Sequence, residues 1–150
     1  MDTVTVAPAR PEDHDRWREL FGGYAAFYDV TLSDEEFDRA WRWIHDPART
    51  PRCLLARTGD GRVVGLAHFR VEESPLQGER GFLDDIYVDP AHRGGGAVDA
   101  LLGEIRRVGA AEGWPHVRWR TAEDNYRARS AYDRHATRTP FLTYAMATAD

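Results

Sequence analysis

Three consecutive glycines, Gly94-Gly95-Gly96, stand between a run that reads as a strand, Gly81 to Val88, and one that reads as a helix, Ala97 to Ala111, closed by Gly113. A strand that ends in a glycine-rich turn and feeds a helix exposes free backbone N–H groups at the helix N-terminus. With the positive end of the helix dipole, those donors form a site suited to a pyrophosphate. Glycine also lets the phosphates come close to the backbone. A bare glycine triplet is equally consistent with an ordinary turn, so the order of the surrounding elements has to decide.

Thr3 to Ala7 alternates, carries β-branched residues and predicts a first strand. Pro11-Glu12-Asp13 resembles a helix start. Trp17, Leu20, Phe21, Tyr24, Phe27 and Tyr28 then recur at spacings of three and four, the stripe of an amphipathic helix. Gly22-Gly23 interrupts that stripe and marks a place for a kink or a short break. Ser33 followed three residues on by Glu36 is a capping box, opening a second helix through Phe37, Ala40, Trp41 and Ile44 that ends near Asp46-Pro47. Cys53 to Arg57 and Arg62 to Val71 flank Thr58-Gly59-Asp60-Gly61, a hairpin signal. Ser74 to Arg80 reads as a polar loop, His116 to Thr121 as a strand, Tyr126 to His135 as a helix and Phe141 to Ala147 as the last strand. Antiparallel strands come first, then strand–helix–strand–helix–strand. That order indicates an α+β (mixed α/β) arrangement in a single domain, residues 1–150, with no repeat or linker.

The composition closes off several classes. Acidic residues outnumber Lys and Arg by 25 to 20, a net charge of −5. A nucleic-acid binder would carry the opposite excess. The one cysteine, Cys53, rules out an internal disulfide and is expected to be a buried structural residue. Met1-Asp2-Thr3 lacks the basic start and apolar core of a signal peptide, and no window is apolar enough to span a bilayer, so no membrane partner is expected and the cytoplasm is the expected address. The six histidines, His14, His45, His68, His92, His116 and His135, lack ligand spacing, and no metal is predicted.

Leu83-Asp84-Asp85-Ile86-Tyr87-Val88-Asp89-Pro90-Ala91-His92-Arg93-Gly94-Gly95-Gly96, followed by Leu101-Leu102, resembles the central motif of the GNAT superfamily of acetyl-CoA-dependent N-acetyltransferases. That motif reads Gln/Arg-x-x-Gly-x-Gly/Ala after a strand ending Val-x-Pro. A second block, Asn125 with Tyr132 seven residues on, resembles the family's later motif. The resemblance implies an acyl-CoA N-acyltransferase fold, a mostly antiparallel twisted sheet flanked by helices. It further implies acetyl-CoA as co-substrate, its pantetheine arm along Ile86, Tyr87 and Val88 and its pyrophosphate held by Arg93, Gly94, Gly95, Gly96, Ala97 and Val98, with Asn125 and Tyr132 also contributing. Two departures stand out. With Arg93 first, the final Gly/Ala position is Val98; starting at His92 places Gly95 and Ala97 correctly but begins on a poorer residue. Asp99 adds negative charge near a site meant for an anion.

Acetyl transfer to an amine requires that the ammonium lose a proton, that the thioester carbonyl be polarised and that the departing thiolate regain a proton. A phenol with pKa of about 10 suits the last step, and the resemblance implies Tyr132. Asp84 and Asp85 lie together in an otherwise apolar strand and so are expected to point to opposite faces. Leu83-Asp84-Asp85 is similar to the Leu-Glu-Asp of spermidine/spermine acetyltransferases, which implies Asp84 as base; Asp85 is expected to bind substrate. Asp85, Glu123 or solvent remain alternatives for the base. Tyr24-Ala25-Ala26-Phe27-Tyr28-Asp29-Val30 resembles a branch linked to polyamines and histones, which implies Tyr28 in a pocket for a small-molecule or lysine amine; a homodimer is compatible with this. The rival is a catalytically weak acyl-CoA-binding or sensory module. A nucleotide-binding oxidoreductase falls behind both, because hairpins precede the glycine turn.

Overall fold

A computed structural model describes residues 3–150; Met1 and Asp2, where the absence of a leader was read, lie outside it. The chain divides into two units, residues 1–120 and 121–150.

The first unit is a five-stranded sheet with strand order β1-β2-β3-β4-β5. β1 (Thr5–Pro8), β2 (Arg52–Arg57), β3 (Val63–Ser74) and β4 (Gly78–Val88) are antiparallel neighbours. β5 (Val117–Trp119) runs parallel to β4 after the crossover helix α3 (Ala97–Glu112). The segment expected to be a polar loop, Ser74 to Arg80, mostly extends the β3–β4 hairpin, with Ser74 paired to Gly78. Cross-strand charge holds it: Glu72 accepts hydrogen bonds from Arg80 Nε (3.3 Å) and Arg118 (3.1 Å).

Between β1 and β2 run a short 3-10 turn (Pro11–Asp13), α1 (His14–Phe27) and α2 (Asp34–His45). α1 is continuous through Gly22-Gly23, contrary to the expected break. The glycines serve contact instead: a Cβ on Gly23 would lie 2.8 Å from the Tyr87 hydroxyl, so its absence lets the helix lie directly on β4. α2 begins with the predicted box, Glu36 N–H donating to Ser33 Oγ (3.1 Å) and Ser33 N–H to the Glu36 carboxylate (2.9 Å). It ends at His45, before Pro47.

Core residues sit on both faces of the sheet. Trp17, Leu20 and Phe37 of the helices cover Cys53, Leu55, Val63 and Leu66 on one face. On the other, Leu101 of α3 reaches Gly65, and Phe69 packs edge-on against Trp114 at 6.3 Å. A Cβ on Gly81 would strike Trp114 and the Val117 side chain at 2.7–2.8 Å, so that glycine admits β5 to the sheet.

In the second unit α4 (Tyr126–His135) is the only regular element. The strand expected over Phe141 to Ala147 does not form; those residues are irregular and exposed. An alternating apolar pattern makes a strand only where a ladder partner takes up its backbone groups, and among the described residues none pairs with this segment.

Candidate active site

The register of β3 against β4 slips at one point: His68 faces Asp85 and Phe69 faces Leu83, leaving Asp84 as an extra residue. Two residues on the bulged strand then oppose one on the partner, and the local alternation of side chains is reset. His68 and Arg70 are two apart on β3 and so share a face. His68 Nδ1 lies 2.9 Å from Asp85 Oδ2, and Arg70 Nε donates to Asp84 Oδ2 at 2.9 Å. Both carboxylates therefore lie on the face under α1, not on opposite faces as a regular strand would dictate.

Their environments differ. Partial burial pushes the Asp84 pKa above its ordinary value; the hydrogen bond and charge of Arg70 pull it down, the negative charge of Asp85 adds to the rise, and His68 opposes it. A carboxylate of raised proton affinity is better matched to base work near neutrality. Asp85 meets His68, which is itself buried and accepts the Trp17 indole N–H at 2.9 Å.

The outer side of this strand is open. β5 pairs only with Gly81, Phe82 and Leu83. Beyond Leu83, among the described residues, no strand pairs β4 on that side, so the backbone along Ile86, Tyr87 and Val88 has no strand partner there. Tyr87 turns to the α1 face and meets the ring of Tyr24 at 6.4 Å; Tyr24 meets Tyr28 at 5.2 Å. The Tyr24 hydroxyl also reaches the Asp84 carbonyl at 3.4 Å. Tyr28 caps α1 and is 45% exposed, an accessible end to this aromatic wall.

After β4, Asp89 begins a tight turn. Its carboxylate accepts Ala91 N–H (3.0 Å) and the Arg16 guanidinium (2.7 Å). Arg16 also donates to the Val63 carbonyl (2.9 Å), fastening the strand end to α1. Arg93 follows in extended conformation, then Gly94 and Gly96 at φ of 82° and 89°. Those angles strain any residue with a Cβ. Gly96 is the N-cap of α3 and has no side chain to satisfy the N–H groups that begin the helix; the first intrahelical bond runs from Ala100 N–H to Gly96 C=O. Free donors, a helix dipole and glycines with open space above them fit a pyrophosphate. Ala97 is buried, Val98 is partly exposed and Asp99 is exposed at the site's edge.

In the second unit, Asn125 is the N-cap of α4, its side chain accepting Ala128 N–H at 3.4 Å. Tyr132 lies in the same helix. Cys53 is buried and free, and among the described residues no group of three or more acidic, His or Cys side chains could hold a metal.

Sequence reasoning missed Trp17, His68 and Arg70 as parts of the site. The signal for His68 was present: a histidine inside the apolar run Leu66-Ala67-His68-Phe69 needs partners when buried. Nothing in the sequence pointed to its pairing with Asp85, which depends on the bulge.

The sequence matches the acetyltransferase (GNAT) family over residues 16–136. It is 25% identical over 145 residues to a D-amino-acid N-acetyltransferase of Saccharomyces cerevisiae, covering 95% of this chain and 90% of that protein. Among solved structures, a ribosomal-protein-alanine N-acetyltransferase from Brucella melitensis biovar Abortus 2308 superposes with a TM-score of 0.80 at 24% identity, covering 97% of this chain and 99% of the other. An aminoglycoside N-acetyltransferase in complex with CoA gives 0.82 at 16% identity, covering 99% and 97%. At such identities the structural likenesses establish the fold alone.

Proposed function

The chain belongs to the acetyltransferase (GNAT) family and is an acetyl-CoA-dependent N-acetyltransferase, and on that premise we propose that it acetylates a primary amine by direct attack, with Asp84 as base and Tyr132 as acid. The observation that supports this most is the bulge in β4, which gathers Asp84 and Asp85 on one face beside the unpaired edge of the strand. Bound acetyl-CoA supplies the acetyl group as an activated thioester. Ile86, Tyr87 and Val88 would hold its arm through their backbone, and the turn from Arg93 to Val98 would hold its pyrophosphate. Asp85 would bind the acceptor as an ammonium ion, and Asp84 would take its proton, directly or through one water. Tyr24, Tyr28 and Tyr87 would wall the acceptor and exclude solvent. Tyr132, assigned from the spacing of the second motif, would return a proton to the departing thiolate.

A polyamine-like or lysine amine suits the two carboxylates and the aromatic wall, in keeping with the likeness of the Tyr24–Val30 segment. A second reading, an acceptor that also carries a carboxylate, is favoured by the guanidinium groups of Arg70 and Arg118, which lie 4.9 and 5.7 Å from the Phe82 ring beside Asp84. The yeast relative, named for D-amino acids, supports the same reading. The proposal takes residues 1–150 as one catalytic domain in the cytoplasm, where a single free cysteine is ordinary. A homodimer would cover Phe141, Leu142, Tyr144 and Met146, each at least 80% exposed.

The test is CoA release from acetyl-CoA over a panel of polyamines, lysine peptides and D- and L-amino acids. Turnover with one class and not the others assigns the acceptor. Tight acetyl-CoA binding without turnover on any amine would establish the acyl-CoA-binding module instead.

A further inference from the structure

His68 is a buried titratable group at the edge of the site that the chemistry above does not use. It lies inside the sheet at 6% exposure, and every element packed against it presents something to the ring. From α1 come the Trp17 indole N–H, 2.9 Å from Nε2, and the edge of Phe21 at 4.7 Å. From β2 comes Cys53, the residue paired with His68 in the sheet. From β4 come Asp85, 2.9 Å from Nδ1, and Asp84 within electrostatic reach. On β3 itself, Arg70 stands two residues on and is engaged by Asp84.

Charge and geometry pull in opposite directions here. Burial disfavours an imidazolium, but the charges and hydrogen bonds of Cys53 and Asp85 favour it and outweigh burial, pushing the His68 pKa up to about 10. An indole N–H, however, can only donate. A protonated ring would set a second N–H directly against it across 2.9 Å. The Trp17 and Asp85 contacts are both satisfied in one way only: Nε2 accepts from Trp17, and the single ring proton sits on Nδ1 and is donated to Asp85. The hydrogen bond outranks the charges because a buried donor set against another donor carries the full cost of its desolvation.

We propose that Trp17 is a lock on the protonation of His68: by donating into Nε2 it holds the ring neutral, so that Asp85 keeps an uncompensated negative charge for the ammonium of the acceptor. This deepens the function proposed above and rests on it in assigning the acceptor's ammonium to Asp85. Trp17 and His68 are positioning residues; of these three, only Asp85 would touch the substrate. The two carboxylates thereby acquire different work. Asp84 is partnered by a cation, Arg70, whereas Asp85 is oriented by a neutral N–H that fixes Oδ2, leaves Oδ1 for a ligand and cancels none of the charge. With His68 charged, Asp85 would become half of an internal ion pair, and the acceptor would lose its anchor.

The lock is read directly from imidazole nitrogen chemical shifts of the 15N-labelled wild-type protein. His68 is expected as the neutral Nδ1–H tautomer throughout the range where a free imidazole titrates; an imidazolium near neutrality overturns the proposal. In Trp17→Phe the ring volume is largely kept and the donor is lost. His68 should then become charged near neutrality, and KM for the amine should rise roughly tenfold, with kcat changed far less. Charging of His68 with no change in KM overturns the role given to Asp85. His68→Gln supplies the second variant: its amide can accept from Trp17 and donate to Asp85 but cannot titrate, so it should keep a KM near that of the wild type and lose any pH dependence that His68 imposes on Trp17→Phe. A Gln variant as defective as Trp17→Phe counts against the lock and for simple packing. The spectrum requires no turnover, so a protein that acetylates nothing would defeat the proposed function while the tautomer still decides the lock.

Discussion

Under α3 the sheet presents Leu54, Ala56, Ala67, Phe69, Leu83 and Val88, met by Leu101, Leu102, Ile105 and Trp114, all buried. Under α1 and α2 the same strands present Cys53, Leu55, Leu66 and Tyr87, but also His68, Asp84 and Asp85, met by aromatic residues. The first face is almost wholly apolar, and its stability comes from area removed from water and from close packing. The second buries polar groups, each of which must be satisfied at a cost in exact geometry. One sheet thus divides by the parity of its strands: odd positions of β2, Cys53 and Leu55, belong to the face that carries the site as well as a core, and even positions, Leu54 and Ala56, belong to the almost wholly apolar face. The bulge in β4 suspends that parity on the strand that carries the carboxylates, and it is where the chemistry gathers.

The sharpest way to break this contrast is Asp84→Asn, which keeps shape and removes basicity. It should lower kcat/KM by about 10²–10⁴ near neutrality, with partial recovery as pH rises, and leave the urea midpoint nearly unchanged. The sign for the wild type follows from the raised Asp84 pKa: kcat/KM should fall as pH drops through that pKa, at a higher pH than an ordinary aspartate would impose. A defect equal at every pH would make Asp84 a positioning group.

The converse substitution is Ile105→Ala, in the middle of the apolar face at 2% exposure. Chemical denaturation should show a loss of about 2–5 kcal/mol, while the folded fraction keeps its kcat/KM. A large kinetic defect in the folded protein would mean that the two faces are not separable.

Smallest of the three is Ser33→Ala, which deletes the α2 cap far from the carboxylates. About 1 kcal/mol should be lost, seen as a lower thermal midpoint, with kinetics unaltered. If KM for the amine rises as well, α2 belongs to the acceptor pocket and the site is larger than Tyr24, Tyr28 and Tyr87 suggest.

Local rules reached far in this chain. The capping box at Ser33, the α4 boundaries and the glycine turn all depend on neighbours within a few residues, and the sequence reading of each agrees with the structure. Gly22-Gly23 misled because local propensity weighs a glycine pair as a break, whereas here Tyr87, distant in sequence, sets its meaning. The strand expected over Phe141 to Ala147 failed for a related reason: alternation describes a face, and a face needs something to pair with. The acid pair was legible as chemistry but not as geometry, since strand parity put Asp84 and Asp85 on opposite sides until a register slip fixed by β3 placed them together.

That slip also has a consequence for anyone redesigning the protein. Asp84 occupies no rung of the ladder: with it removed, Leu83 would still face Phe69, Asp85 would still face His68, and the strand would simply become regular. Deleting one codon should therefore be gentler on the scaffold than most deletions inside a strand, and it would take away the proposed base together with the bend that presents it. The residue proposed for the chemistry is the one the sheet can spare, so a catalytically silent scaffold lies a single deletion away, and the reverse insertion is a short route by which a plain strand could acquire a base.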